Sequence, residues 1–393
     1  MKKKICFAVQ RYGLEVNGGA ELLIRELAER MACSFDVTVL TTKAVDYLSW
    51  NDHYRRDEEQ LNGVRVLRFS VDFPREMEVF NEINGRFLRG ELPPGEEARW
   101  IWEQGPVALE LERYVREHQE EYQVFLFGPY LYWHTVTCLP QVAHKAVLIP
   151  MAHDEPFIHM GIFRQVFERA AAVCYLTPEE REFVQGLFPG VTRRDMIGGA
   201  GVEVPEEVSA ERFRARYGLD GDYVVYVGRI DEGKNCDELF RYWEAYRSTH
   251  TRPLTLVLMG KPVIPIPQRD DVRSLGFVSE QDKFDGMRGA QALVLPSRFE
   301  SLSIVVLEAM SLGVPVLVNG GCAVLRGHCR KSNAGLYYET FPEFCAALDF
   351  LRSGNGAVQA MRENGPAYVN AYYQWPVILE NLTRLIDEIG SGR

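Results

Sequence analysis

Glu300-Ser301-Leu302-Ser303-Ile304-Val305-Val306-Leu307-Glu308 follows the apolar run 292–296 and leads toward a second apolar run at 314–319. Runs this short, bounded by turn residues, read as buried strands, and the serines between them read as the entry to a helix with Ser303 at its N-cap. On that reading Glu308 lies early in the helix while Glu300 stays in the preceding loop, so the two carboxylates hang from different kinds of backbone. They need not share one task. Carboxylates accept hydroxyl hydrogen bonds well, so one can hold sugar hydroxyls and the other a ribose diol. Paired catalytic carboxylates of a hydrolase are the rival, and helix capping on a solvated face accounts for Glu308 more easily than for Glu300.

The alternation of strand and helix extends outward from this stretch. The second half carries strand patterns at 223–228, 255–260, 292–296 and 314–319, and the first half at 5–10, 36–41, 64–70, 123–128, 146–152 and 172–177. Helical patterns fall between most of them, which predicts an α/β protein with parallel sheets and crossover helices. At 393 residues the chain is too long for one ordinary core and suits two domains. The pattern restarts after Gly198-Gly199-Ala200-Gly201-Val202-Glu203-Val204-Pro205, whose glycines permit positive φ and whose proline stiffens the exit, as in a hinge. The expected division is a first domain over 1–200, a second over 201–371, and a last helix within 372–393 that returns to the first domain. Trp375-Pro376 suits a bend before that helix, because the residue before proline avoids the α region. The stretch 72–105, with Pro74, Gly85, Gly90, Pro93, Pro94 and Gly95, reads as a long irregular loop, either functional or a plain surface insertion.

Hydrophobic residues make up 46% and charged residues 25%, the mixture of a globular protein with a large core. The formal charge is −11 and neither half is basic, which argues against nucleic acid as a partner, since binding it needs a cationic stripe. Lys2-Lys3-Lys4 could touch anionic lipid, each residue contributing about 1 kcal/mol near a membrane surface, or could simply begin the first strand in solvent. No run approaches the roughly 20 apolar residues of a membrane span, and the charged start leads straight into a strand. A cytoplasmic protein is expected, reaching lipid at most by peripheral contact at the inner face of the membrane. The eight cysteines include no Cys-x-x-Cys pair, and Cys6 and Cys174 sit in apolar strand runs as small hydrophobes. Cys322, His328 and Cys329 are close enough in sequence to suggest a metal site, although zinc spacings are tighter and no fourth ligand is evident.

Three further motifs lie where strands end. Asn17-Gly18-Gly19-Ala20-Glu21 precedes a helix with Leu23, Leu27 and Met31 on one side, and glycines there let a diphosphate approach free amides at the positive end of the helix dipole. A plain strand-to-helix turn uses the same residues. Gly228-Arg229-Ile230-Asp231-Glu232-Gly233-Lys234 closes the strand 223–227, placing two cations where open α/β sheets bind ligands and where they could neutralise a leaving diphosphate. A pair of surface cations is the bland alternative. His153-Asp154 follows the apolar run 147–152, so His153 either meets a ligand at a strand end or is an ordinary hydrogen-bonded loop histidine.

Together these elements resemble the family-four (group 1) retaining glycosyltransferases of the GT-B fold, along nearly the whole chain. The strongest match is the pair of glutamates with seven residues between them, Glu300 and Glu308, continued by Ala309-Met310 and Gly313-Val314-Pro315-Val316. Gly228-Arg229 with Lys234 stands at the family's spacing, and Gly18-Gly19-Ala20-Glu21, His153-Asp154 and Gly201-Val202-Glu203 match less specifically. The resemblance implies two Rossmann-like domains facing across a cleft, with a C-terminal helix crossing back to the first. It implies transfer of a hexose from a nucleotide diphosphate sugar to a glycan or lipid-linked acceptor, as in polysaccharide biosynthesis. Arg229 and Lys234 then grip the diphosphate, met by Gly19 beside Gly18, while Glu300 binds the transferred sugar, Glu308 the ribose, and His153 lines the sugar and acceptor site. Gly276-Phe277-Val278 resembles the loop that reads the base. Ser301-Leu302-Ser303 departs from the family's glycine, aromatic and glycine or proline, yet serine amides at a helix start can still bind phosphate or sugar hydroxyls. Asn319-Gly320-Gly321-Cys322 leads into Arg326-Gly327-His328-Cys329 in place of the commoner acidic turn. The resemblance implies no metal and no other cofactor; the nearest candidates for an Asp-x-Asp metal motif, Asp220-Gly221-Asp222 and Asp270-Asp271, both read as loop polars. The alternatives are a sugar-nucleotide-binding protein without turnover and an epimerase-like or phosphorylase-like enzyme of the same fold.

Overall fold

The computed structural model describes residues 2–16, 18–93, 95–191 and 194–391. Asn17 of the glycine turn and Pro94 of the 72–105 stretch lie outside the described residues. The chain forms two compact units, Met1–Ala200 with Ile378–Arg393, and Gly201–Val377.

The first unit is built on an eight-stranded sheet of β1 (Lys4–Ala8), β2 (Asp36–Thr42), β3 (Glu58–Leu61), β4 (Val64–Phe69), β5 (Val124–Phe127), β6 (Ala146–Leu148), β7 (Ala172–Tyr175) and β8 (Asp195–Ile197). Their order is β3-β4-β2-β1-β5-β6-β7-β8, and only the β3–β4 hairpin is antiparallel. Ile5, Cys6, Phe7 and Ala8 are all buried, because a parallel strand covered on both faces needs a continuous apolar run. Successive strands run outward from β1 in both directions, so the crevice at the carboxyl end of β1 is a topological switch point, where open sheets bind ligands.

The second unit repeats the design with β9 (Tyr223–Val227), β10 (Thr255–Met259), β11 (Val272–Gly276), β12 (Leu293–Leu295), β13 (Val316–Asn319) and β14 (Gly335–Tyr338). All pairs are parallel in the order β11-β10-β9-β12-β13-β14, so the switch point lies beside β9.

The stretch 72–105 is not the loop that its prolines and glycines predict. It folds into the helices Met77–Leu88 and Glu97–Gln104, and it buries Ile83, Trp100 and Ile101 in the core of the first unit. Trp100 stacks on Phe157 with ring centroids 4.9 Å apart, and the Glu97 carboxylate accepts the amides of Gly161 and Ile162 at 3.0 and 2.8 Å. Glu97 thereby satisfies the open amides of the helix Gly161–Arg169 from a distant part of the sequence, which pins the stretch in place. The amino-terminal lysines also have partners: Lys2 donates to the Ala32 carbonyl, Lys3 to Asp387 at 2.8 Å, and Lys4 lies 3.9 Å from Glu121.

The last helix, Trp375–Gly390, contains the boundary between the units, which falls between Val377 and Ile378. Gly201 lies against the Trp375 ring, where a Cβ would come within 2.3 Å of it, so only glycine fits.

Candidate active site

The second unit's strand ends are brought together by backbone contact. Gly228 and Gly260, just past β9 and β10, have φ of 145° and 155°, and a Cβ on Gly260 would sit 1.8 Å from the Gly228 carbonyl oxygen. Only glycine tolerates both the conformation and the approach. The turn that follows is fixed by Asp231, whose carboxylate accepts from Arg229 Nε and, at 2.9 Å, from the Lys234 amide. Tyr226 Oη donates to the Arg229 carbonyl at 2.6 Å. Lys234 Nζ then reaches Glu300 Oε1 at 2.7 Å, with the two side chains 32% and 13% exposed. Lys234 and Glu300, 66 residues apart in sequence, therefore form one ion pair, with Arg229 in the same turn as Lys234.

Glu238 gathers the neighbouring strand ends. Its carboxylate accepts from Asn235 at 2.9 Å, Asn319 at 3.2 Å and Arg298 at 2.8 Å, while Asn235 also donates to the Pro296 carbonyl at 3.1 Å. Asn235 takes a left-handed conformation with φ of 59°, which asparagine adopts more readily than most residues. The sequence reading passed over Glu238, an unremarked acid in the first turn of the helix Cys236–Thr249.

Ser303 occupies the N-cap of the helix Ile304–Ser311, as its position predicts, but its side chain makes no capping bond. Its φ is 65°, and its buried Oγ has no hydrogen-bond partner. A serine stands here in a conformation that glycine takes without strain. Leu302 is buried, and its carbonyl accepts from His328 Nε2 at 2.8 Å.

Glu308 is not on a solvated face, which corrects the blander expectation. It is 9% exposed and pairs with Lys283, Nζ to Oε1 at 2.8 Å. Burial pushes its carboxyl up, and Lys283 opposes that shift. Glu300 and Glu308 are thus taken up by different lysines, which also tells against a hydrolase's shared pair. Lys283 was missed in the sequence; the only signal is that Ser279-Glu280-Gln281-Asp282 opens a helix, with Ser279 Oγ accepting the Asp282 amide at 3.1 Å. The preceding Gly276 is left-handed at φ 67°, Phe277 is 76% exposed, and Val278 is half-buried.

In the first unit, Gly18 is the N-cap of the helix Gly19–Met31. Glu21 in its first turn accepts from Gln10 at 2.9 Å and forms a buried pair with Arg11, another group that the sequence reading missed. Beyond β6, Met151 has φ of 55° and His153 follows, its Nδ1 3.8 Å from Glu155, which also accepts from Tyr130 Oη at 2.6 Å. Behind this turn the fully buried Glu180 accepts the amides of Ala152 and Leu176, tying the ends of β6 and β7 together. Burial pushes its carboxyl up to about 8, against the pull of those amides.

Cys322, His328 and Cys329 do not form a metal site. Both ring nitrogens of His328 are engaged, with Tyr368 Oη at 3.0 Å and the Leu302 carbonyl, and burial pushes both thiols up. Among the described residues no group of three or more His, Cys, Asp or Glu side chains is gathered as metal ligands.

The arrangement presents Arg229 and Lys234 at the carboxyl end of β9, each paired with a carboxylate. Residues 221–351 match the family model for glycosyl transferases group 1. That span holds Arg229, Lys234, Lys283, Glu300 and Glu308. Among curated proteins the chain is similar to a D-inositol 3-phosphate glycosyltransferase of Jonesia denitrificans, 28% identical over 47% of this chain and 49% of the relative. The match thus spans about half of that relative's length. Among solved structures it is similar to sucrose-phosphate synthase from Thermosynechococcus elongatus, with a TM-score of 0.72 and 17% identity, covering 100% of both chains. It is also similar to the HepE protein of Anabaena in complex with UDP and glucose, with a TM-score of 0.69 and 15% identity over 98% of this chain and 100% of that one. The fold is that of the GT-B glycosyltransferases, with two Rossmann-like parallel-sheet units. Among the described residues no helix is long and apolar enough to cross a membrane.

Proposed function

We propose that this protein is a retaining, metal-independent hexosyltransferase that moves a sugar from a nucleotide diphosphate sugar to a glycan or lipid-linked acceptor. The observation that carries this reading is the Lys234–Glu300 pair beside Arg229 at the end of β9, inside the span that matches group 1. HepE, with UDP and glucose bound, supports the choice of donor class.

In this reading the diphosphate takes the two cations from their carboxylates. Arg229 and Lys234 then stabilise the negative charge that grows on the leaving diphosphate as the glycosidic bond breaks, which lowers the barrier because the charge is largest in the transition state. Glu300, released by Lys234, accepts hydrogen bonds from the transferred sugar, and Glu308 accepts them from the ribose. In the second unit the amides at Ser301, Leu302 and Ser303 add donors and Phe277 and Val278 meet the base; in the first unit the amides at Gly18 and Gly19 are anion donors and His153 is a ligand-facing histidine. A donor phosphate oxygen takes the acceptor proton in front-face attack, so no side-chain nucleophile is required. The proposed place of action is the cytoplasm, at the inner membrane face when the acceptor is lipid-linked.

Glu300→Gln tests the reading. Loss of a charge-assisted hydrogen bond worth about 1.5–3 kcal/mol lowers turnover roughly 10- to 150-fold. Affinity for the nucleoside diphosphate is kept or rises, because Lys234 is released. Turnover within twofold of wild type would remove Glu300 from the sugar. The assays run in excess chelator, and activity that needs added manganese or magnesium would refute the metal-free reading. Slow release of free nucleotide from donor without acceptor separates an enzyme from a pure binder, which releases none.

A further inference from the structure

Lys283 connects two parts of the donor site that the sequence places 25 residues apart. It lies on the helix Glu280–Arg288, directly after the Gly276-Phe277-Val278 loop, and donates at 2.8 Å both to Glu308 Oε1 and to Glu280 Oε2. The Lys283 and Glu308 side chains are 14% and 12% exposed, whereas Glu280 is 76% exposed, so the contact with Glu308 is the buried one. An ionised carboxylate only accepts hydrogen bonds, and the two hydroxyls of a vicinal diol can donate to it. A carboxylate this buried stays in that state only with a compensating cation.

We propose that Lys283 is the positioning residue that holds Glu308 as a directed, acceptor-only carboxylate for the donor's ribose diol and ties it to the base-side loop; this rests on the assignment of Glu308 to the ribose. The charged groups facing Glu308 are Lys283, which favours its ionised form, and Glu280, which opposes it. Burial alone would lower the Lys283 ammonium, but Glu308 and Glu280 more than offset this and hold it above the usual lysine range. Lys283 therefore remains a cation throughout the neutral range.

The test measures affinity of the full chain for whichever of UDP, GDP and ADP it binds best, against the 2′,3′-dideoxy form of the same nucleotide. Wild type prefers the ribo form. In Lys283→Met that preference falls roughly 10-fold or more at pH 7, the size of a charge-assisted hydrogen bond, and partly returns as pH rises and the uncompensated carboxyl ionises. Lys283→Arg, which keeps the charge, retains most of the preference. A purely structural lysine would lower both affinities together and leave their ratio unchanged, so an unchanged ratio in Lys283→Met overturns the proposal alone. If wild type itself does not distinguish the two nucleotides, Glu308 is not at the ribose, and both that assignment and the role of Lys283 are overturned.

Discussion

A Cβ on Gly19 would meet nothing within 4 Å, whereas one on Gly18 would fall 2.1 Å from the Glu21 carboxylate. The protein's own packing explains glycine at 18 and gives no reason for glycine at 19. Alanine is the better helix former, so Gly19→Ala is expected to keep the thermal midpoint or raise it. Turnover and donor affinity should fall if a diphosphate comes up against these amides. Unchanged kinetics would return Gly19 to a plain strand-to-helix turn. Residues of this kind are legible because glycine, arginine and glutamate at fixed spacing name themselves in a sequence. Lys283 and Glu238 do not: a lysine or a glutamate in the first turn of a helix is ordinary until tertiary packing buries it against a distant partner. Ser303 shows a different limit, since its N-cap position could be read while its left-handed φ and uncapped side chain could not.

At the scale of elements, the strands legible in the sequence are the interior ones, and β3, β8, β11 and β14, the edges of both sheets, left no pattern. Interior parallel strands are covered on both faces and read as continuous apolar runs, whereas β3 is Glu-Glu-Gln-Leu and β11 exposes the consecutive Arg273 and Ser274. The helices of 72–105 escaped for a related reason: prolines and glycines mark their ends, and their burial comes from aromatic contacts made far along the chain. Between two of the legible strands, the Glu180 clip supplies a pH test. Its folded carboxyl titrates near 8 against an ordinary 4.5, so the folded chain holds a proton that the unfolded chain has lost between those values. That contribution to stability is complete below about 4.5 and declines as pH rises toward 8. Glu180→Gln, neutral throughout, should remove this decline, read as the difference between wild-type and variant melting midpoints from about pH 5 to 8.5. A difference that stays constant with pH would mean that Glu180 is ionised in the folded chain.

The whole chain carries a formal charge of −11, and its candidate donor site adds no positive excess: Arg229 faces Asp231 and Lys234 faces Glu300. A bare pair of cations would draw an anionic ligand in from a distance, and added salt would weaken that pull. Here the resting site already carries its own counter-ions, inside a molecule that repels anions as a whole. On the proposed function, recognition of a diphosphate then begins at contact range, as an exchange of one anion for another. The association rate of a nucleoside diphosphate, followed by stopped flow from about 20 to 500 mM salt, should hold steady or rise as screening relieves the general repulsion. A steep fall would show that the two cations stand free in solution. The ion pairs of Arg229 and Lys234 thus leave the candidate site electrostatically silent until a ligand is already in place.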